Sequence, residues 1–138
     1  MRRLTLLLRF ELQATPPMGD PPSFDISSGQ ATVTLLEGDG ARVPSEVSYK
    51  THVTTTGATS FVEDGEMALD YGALALSTVG AGVLEPTEQQ GISRGAVIFR
   101  IAGTGGLSGA AGLVTSNFEF NTGTGAAVEH QVLRLSLP

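Results

Sequence analysis

Apolar and polar side chains alternate with a period of two residues along most of this chain. Over residues 3–13 every second residue is a leucine or a phenylalanine. Residues 45–55 repeat the pattern, with Val47, Tyr49 and Val53 on one face and Lys50 and His52 on the other. This period is typical of a strand with one buried face, and no long stretch has helical periodicity. The pattern therefore predicts an all-β protein.

Turn-forming residues divide the alternating segments. The predicted strands cover about residues 3–13, 30–36, 45–55, 59–63, 66–71, 73–78, 96–101, 113–121 and 127–137. Asp64-Gly65 predicts a tight turn. Paired prolines predict a long loop over residues 14–29, and polar residues predict another over 86–95. Eight or nine short strands indicate a barrel or a sandwich, and closure into a barrel leaves no unpaired edge. We expect a single domain, residues 1–138, folded as a closed antiparallel barrel of about eight strands, of calycin-like or allene oxide cyclase-like shape.

The amino-acid composition and charge exclude several classes of function. The net charge is −6, and the eight basic residues are scattered. Nucleic-acid binding requires a clustered basic face, so no nucleic-acid partner is expected. The absence of cysteine excludes disulfides, thiol nucleophiles and thiolate metal sites. The leucines after Arg2-Arg3 are interrupted by Arg9 and Glu11, which predicts a first strand rather than a signal peptide and a cytoplasmic protein with no membrane partner.

One glycine-rich segment is more informative than the overall composition. Residues 101–112 read IAGTGGLSGAAG, and LVTSNF follows them. This stretch resembles the glycine-rich segment that precedes a strand in allene oxide cyclase-like and dirigent-like barrels, including small bacterial ones. The resemblance covers about a tenth of the chain and implies a barrel fold. It also implies a relation to cyclases that fold a flexible apolar substrate in the barrel, some of them in polyketide biosynthesis by cycloaddition, but it transfers no catalytic residue.

Cofactor motifs are incomplete. Gly103 and Gly105 match the start of a dinucleotide fingerprint, but Ser108 stands where its third glycine belongs and no long helix is predicted after it. His52 and His130 are too far apart to form a local metal motif. We therefore expect neither a cofactor nor a metal.

The candidate site residues are apolar or aromatic side chains on strands that can face a cavity. A hydrophobic substrate is expected to contact Tyr49, Met67, Leu69, Tyr71, Phe99, Phe118 and Phe120. Candidates for a catalytic polar group are Tyr49, Asn117 and His130. On residues 113–121 either Phe118 and Phe120 face inward or Asn117 and Glu119 do, and we favour the phenylalanines. Plain core packing is at least as good an interpretation of Tyr49, Met67, Leu69 and Tyr71.

Three functions are consistent with this pattern. The favoured one is a cofactor-independent cyclase or isomerase that holds a flexible polyketide, polyene or oxylipin-like molecule with its reacting carbons close together. The alternatives are a non-catalytic barrel that binds a hydrophobic ligand and a structural barrel that oligomerises. In each case a homo-oligomer, dimer or trimer, is expected.

Overall fold

The computed structural model describes residues 2–138 and contains ten strands. They are β1 (Arg2–Ala14), β2 (Ser23–Ser28), β3 (Thr32–Glu37), β4 (Val47–Thr55), β5 (Ser60–Leu69), β6 (Gly72–Thr78), β7 (Gly82–Pro86), β8 (Ile92–Thr104), β9 (Ala111–Asn121) and β10 (Ala126–Leu137). Two short 3-10 turns, Gly40–Arg42 and Gly105–Leu107, complete the secondary structure of these residues.

The strands form a closed antiparallel barrel of eight strands with two additional short ones, which confirms the predicted fold class. Around the barrel the order is β1, β2, β4, β5, β6, β8, β9 and β10, and β10 pairs with β1 to close the ring. The short strand β3 pairs with β1 beside β2, and β7 pairs with both β5 and β8.

Period-two alternation sets the interior. The residues of β1 that were expected to share a face, from Leu4 to Leu12, are all buried. The inward residues of β4, β5, β8 and β10 extend this core with Val47, Met67, Phe99, Leu133 and Leu135. Each of these side chains is at most 2% exposed, so burial of one face of every long strand accounts for the barrel.

A 3-10 turn closes one end of the barrel. Leu107, in Gly105–Leu107, is 2% exposed and packs against two close glycines. A Cβ on Gly103 would lie 1.8 Å from the carbonyl oxygen of Leu107, and one on Gly72 would lie 2.7 Å from its Cγ. These glycines are therefore required by close packing, and we call this end, defined by Leu107, Gly72 and Gly103, the packed end.

Three predicted boundaries were wrong. The predicted loop over 86–95 contains the start of β8 at Ile92, and the strand β7 before it was not predicted. Asp64-Gly65 does not turn the chain, because β5 runs straight through both residues. Gly65 is a glycine for another reason: a Cβ there would lie 2.1 Å from the carbonyl oxygen of Lys50 on the neighbouring strand. The predicted loop over 14–29 contains β2, whose Phe24 and Ile26 pack against the core. The alternation in β2 is too short to outweigh the prolines before it.

No helix among residues 2–138 has the length and apolar character needed to cross a membrane.

Candidate functional site

A cavity opens at the end of the barrel opposite the packed end. Its mouth lies at the turn between β4 and β5, and its empty volume is about 610 Å³, including space open to solvent. Its walls are mainly apolar, and they include four phenylalanines: Phe24, Phe61, Phe118 and Phe120. The part of this space that can hold the centre of a water molecule is about 70 Å³, so the enclosed part of the site is small.

The deep part of the cavity holds a hydrogen-bonded glutamate. Glu129, on β10, is 3% exposed. Its carboxyl group accepts hydrogen bonds from the hydroxyls of Tyr49 and Ser116, and from Gln131 Nε2 at 3.0 Å. These donors come from β4, β9 and β10 itself, so closure of the barrel brings the cluster together. Buried carboxyl groups require such partners.

A second buried glutamate, Glu63 on β5, has fewer partners. It is 5% exposed, and its Oε2 accepts a hydrogen bond from Thr51 Oγ1 at 2.5 Å. Its Oε1 has no hydrogen-bond partner among residues 2–138, and the side chain lines the cavity. One oxygen of Glu63 is therefore available to a bound molecule.

Burial changes the protonation of these groups. The pKa of Glu63 is raised to about 8: burial is the largest cause, the hydrogen bond from Thr51 opposes it, and the nearby charges of Glu129 and Asp64 add to the rise. Burial also raises the pKa of Glu129, against the effect of its hydrogen-bond donors. The pKa of Tyr49 lies well above its ordinary value because of burial and the two glutamates. In the empty cavity Glu63 thus carries a proton at neutral pH.

No basic side chain accompanies the two acids. The cavity lining contains no lysine, arginine or histidine. Within the described part of the chain, the ion pairs are Arg9–Glu11, His52–Asp25 and Arg94–Glu85, all between exposed side chains. The cavity is therefore acidic without an internal counter-charge.

The structure brings together three of the residues expected to contact a substrate. Tyr49, Phe118 and Phe120 line the cavity, so the inward register favoured for the phenylalanines is confirmed. Of the other expected contacts, Met67, Leu69 and Phe99 are buried in the core and do not line the cavity.

The remaining candidates lie elsewhere. Tyr71 sits in the turn between β5 and β6, where its hydroxyl donates to the carbonyl oxygen of Arg42 at 2.6 Å. Asn117 and His130 are paired neighbours on the outer face of β9 and β10, and both are exposed. An outward side chain does not reach the cavity, so of the three catalytic candidates only Tyr49 is placed at this site.

Sequence reasoning did not single out Glu63 or Glu129. Glu129 shares the face of β10 that continues through Leu133, Leu135 and Leu137, and this leucine alternation could have marked it as inward. The sequence instead suggested His130 as a catalytic candidate, although His130 shares the opposite face of β10 with Val128. Glu63 was missed because a tight turn was predicted at the next two residues, Asp64 and Gly65.

Among residues 2–138 no group of three or more histidine, cysteine, aspartate or glutamate side chains is arranged to hold a metal ion.

Comparisons of the chain with protein-family models, with curated proteins and with solved structures found no match. The resemblance of residues 101–112 to allene oxide cyclase-like barrels accordingly stays a prediction. In this structure that segment forms the packed end, which is a structural role.

Proposed function

We propose that this barrel is a cofactor-independent cyclase or isomerase that folds a flexible, hydrophobic small molecule in the cavity at its open end. The observation that carries the proposal is the cavity itself: a mainly apolar pocket with buried, hydrogen-bonding acids in its deep part. Small-molecule sites combine apolar walls with a few well-placed polar groups in this way.

The shape of the site favours catalysis by orientation. Phe118 and Phe61 contact each other edge to face, with ring centroids 6.1 Å apart, and form a firm wall. A flexible chain held against such walls loses its freedom before it reacts, and this can lower the barrier of an intramolecular step by several kcal/mol. An intramolecular cycloaddition of a polyene or polyketide only rearranges bonds and changes neither the mass nor the oxidation state of the molecule, so it needs no co-reactant.

The polar groups of the cavity have distinct roles in this proposal. The Tyr49 hydroxyl already donates to Glu129, so Tyr49 acts through that glutamate and positions it. Glu63 has the partnerless oxygen, and it is the group that contacts the polar end of the substrate. Fixing one end of the substrate here leaves its apolar part to fold against the phenylalanines.

The sequence resemblance supports the same function as an analogy. A homo-oligomer also stays part of the proposal: Ile98 and Leu113, both 44% exposed, lie on the outer face of the adjacent strands β8 and β9 and could serve a subunit contact.

A metabolite comparison tests the proposal. Extracts of the native host with and without the gene are compared by liquid chromatography and mass spectrometry. We expect the deletion strain to lose one compound and to accumulate another of equal mass and different retention. The purified protein should convert the second compound into the first, and Glu63→Gln should slow this conversion while Glu66→Gln, on the exposed face of the same strand, should not.

Either of two results would contradict the proposal that this protein is an enzyme. If a compound co-purifies with the protein and is released unchanged, the barrel is a carrier of hydrophobic ligands. If no metabolite changes and none is bound, the structural, oligomerising barrel becomes the better account.

A further inference from the structure

We infer that the molecule bound in this cavity is a hydrophobic amine, whose ammonium group contacts Glu63 and Glu129 while its apolar part packs against the phenylalanines nearer the mouth. The inference rests on the proposed function, because it names the class of molecule for the same cavity.

The deep part of the cavity contains acidic side chains and no basic ones. Two carboxyl groups, each at most 5% exposed, face the same space, and no basic side chain lines it. Burial of an ionised carboxyl group is costly unless an opposite charge accompanies it. The protein supplies no such charge here, so Glu63 by itself keeps a proton, and a cationic ligand could take the place of that proton.

The free oxygen of Glu63 is an independent observation. Glu129 has three hydrogen-bond donors from the protein, whereas Glu63 has one and leaves Oε1 without a partner. An ammonium group has three donors and no acceptor, so it can satisfy this oxygen directly. The charge-assisted hydrogen bond that results is stronger than one between neutral groups.

The depth at which each side chain lies in the cavity indicates how the ligand is oriented. Phe24, Phe118 and Phe120 are half-buried, whereas Glu63 and Glu129 are fully buried. The rings of Phe24 and Phe120 stack with their centroids 6.3 Å apart. A molecule with a charged head and an apolar body therefore fits with its head inward, and aromatic faces near a cation add further attraction.

The same arrangement discriminates against anions. A carboxylate ligand would carry a negative charge into a buried space with no basic side chain to pair with it, and an unpaired buried charge is costly. Free fatty acids, and with them the oxylipin-like substrates expected from the sequence, are therefore disfavoured. Polyketide or polyene amines are favoured.

A matched set of probes tests the inference with the intact protein. Octylamine, octanol and octanoate share one apolar chain and differ only in the head group. Their binding is measured by isothermal titration calorimetry at neutral pH, where the amine is protonated. We expect octylamine to bind at least about tenfold more tightly than octanol, a difference of about 1.4 kcal/mol, and octanoate to bind more weakly than octanol.

Variants locate the effect. Glu63→Gln and Glu129→Gln should each weaken octylamine binding about tenfold or more and change octanol binding less than about threefold. Glu66→Gln, on the exposed face of β5, is the matched control and should change neither. The ranking of the three probes on the unmodified protein decides the matter even if a variant fails to fold.

The outcomes separate this inference from the proposed function. Octanol binding as tightly as octylamine, or octanoate binding best, would overturn the amine and leave a cavity for hydrophobic molecules in place. If none of the three probes binds, the amine inference and the proposed small-molecule function both fail.

Discussion

The two ends of the barrel are built from the same strands but have opposite interiors. At the packed end, Leu107 fills the barrel and lies so close to Gly72 and Gly103 that neither glycine has room for a side chain. At the open end, the inward positions of β5 and β10 hold Glu63 and Glu129, and half-buried phenylalanines surround a cavity. From this difference we predict that side chains at the packed end contribute more to stability, and we propose that binding takes place at the open end.

The largest contrast is expected from deleting the same side chain at each end. Leu107→Ala should lower the free energy of unfolding by about 3–5 kcal/mol, because it leaves a cavity in a tightly packed region. Leu84→Ala, at a half-buried leucine that lines the open cavity, should cost about 1 kcal/mol. Urea denaturation measures both. Equal losses would show that the two ends contribute alike to stability.

A pH-dependent difference is expected at the acidic end. The pKa of Glu63 in the folded protein, about 8, exceeds its ordinary value of 4.5, so the folded state retains the proton that the unfolded state releases. Wild-type stability should therefore fall as the pH rises from about 4.5 to about 8.

Glu63→Gln removes this titration. Relative to wild type, the variant should gain stability progressively between about pH 4.5 and pH 8, by a few kcal/mol in total, as measured by urea denaturation at a series of pH values. The control Glu66→Gln should leave the wild-type pH dependence unchanged. A Glu63→Gln curve parallel to that of wild type would mean that the buried carboxyl group does not hold its proton.

A substitution in the cavity wall is expected to have the smallest effect on stability and a clear effect on binding. Phe118→Ala should weaken the binding of an apolar probe such as octanol about tenfold, because it removes a ring that lines the cavity, while costing only about 1–2 kcal/mol of stability. His130→Ala and Asn117→Ala change exposed residues on the outer face and should leave binding within twofold of wild type. Calorimetric titration compares them. Loss of binding in His130→Ala would place the functional site on the outer face.

The sequence predicted the barrel because burial of one strand face produces a period that is visible without a structure. Leu4 to Leu12 and Val47 to Val53 illustrate this, and Phe118 was placed inward on the same grounds. The acids were not predicted, because Glu63 and Glu129 are polar residues at inward positions and break the very pattern used to find that face. Tyr49 lies 80 positions from Glu129, so only the closed barrel shows that the two meet, whereas Ser116 and Thr51 lie on the hairpin strand next to that of their glutamate.

The seam between β1 and β10 has a consequence for how the protein folds. It pairs Leu4 with Leu135 and Phe10 with Glu129, residues separated by more than a hundred positions, and such distant pairings slow folding. Ser116 lies on β9, the hairpin partner of β10, so its contact with Glu129 needs only that hairpin. Tyr49 lies on β4, on the other side of the seam, and its hydroxyl meets Glu129 only when β1 and β10 pair. A barrel opened at this seam would therefore keep Ser116 beside Glu129 and separate Tyr49 from it.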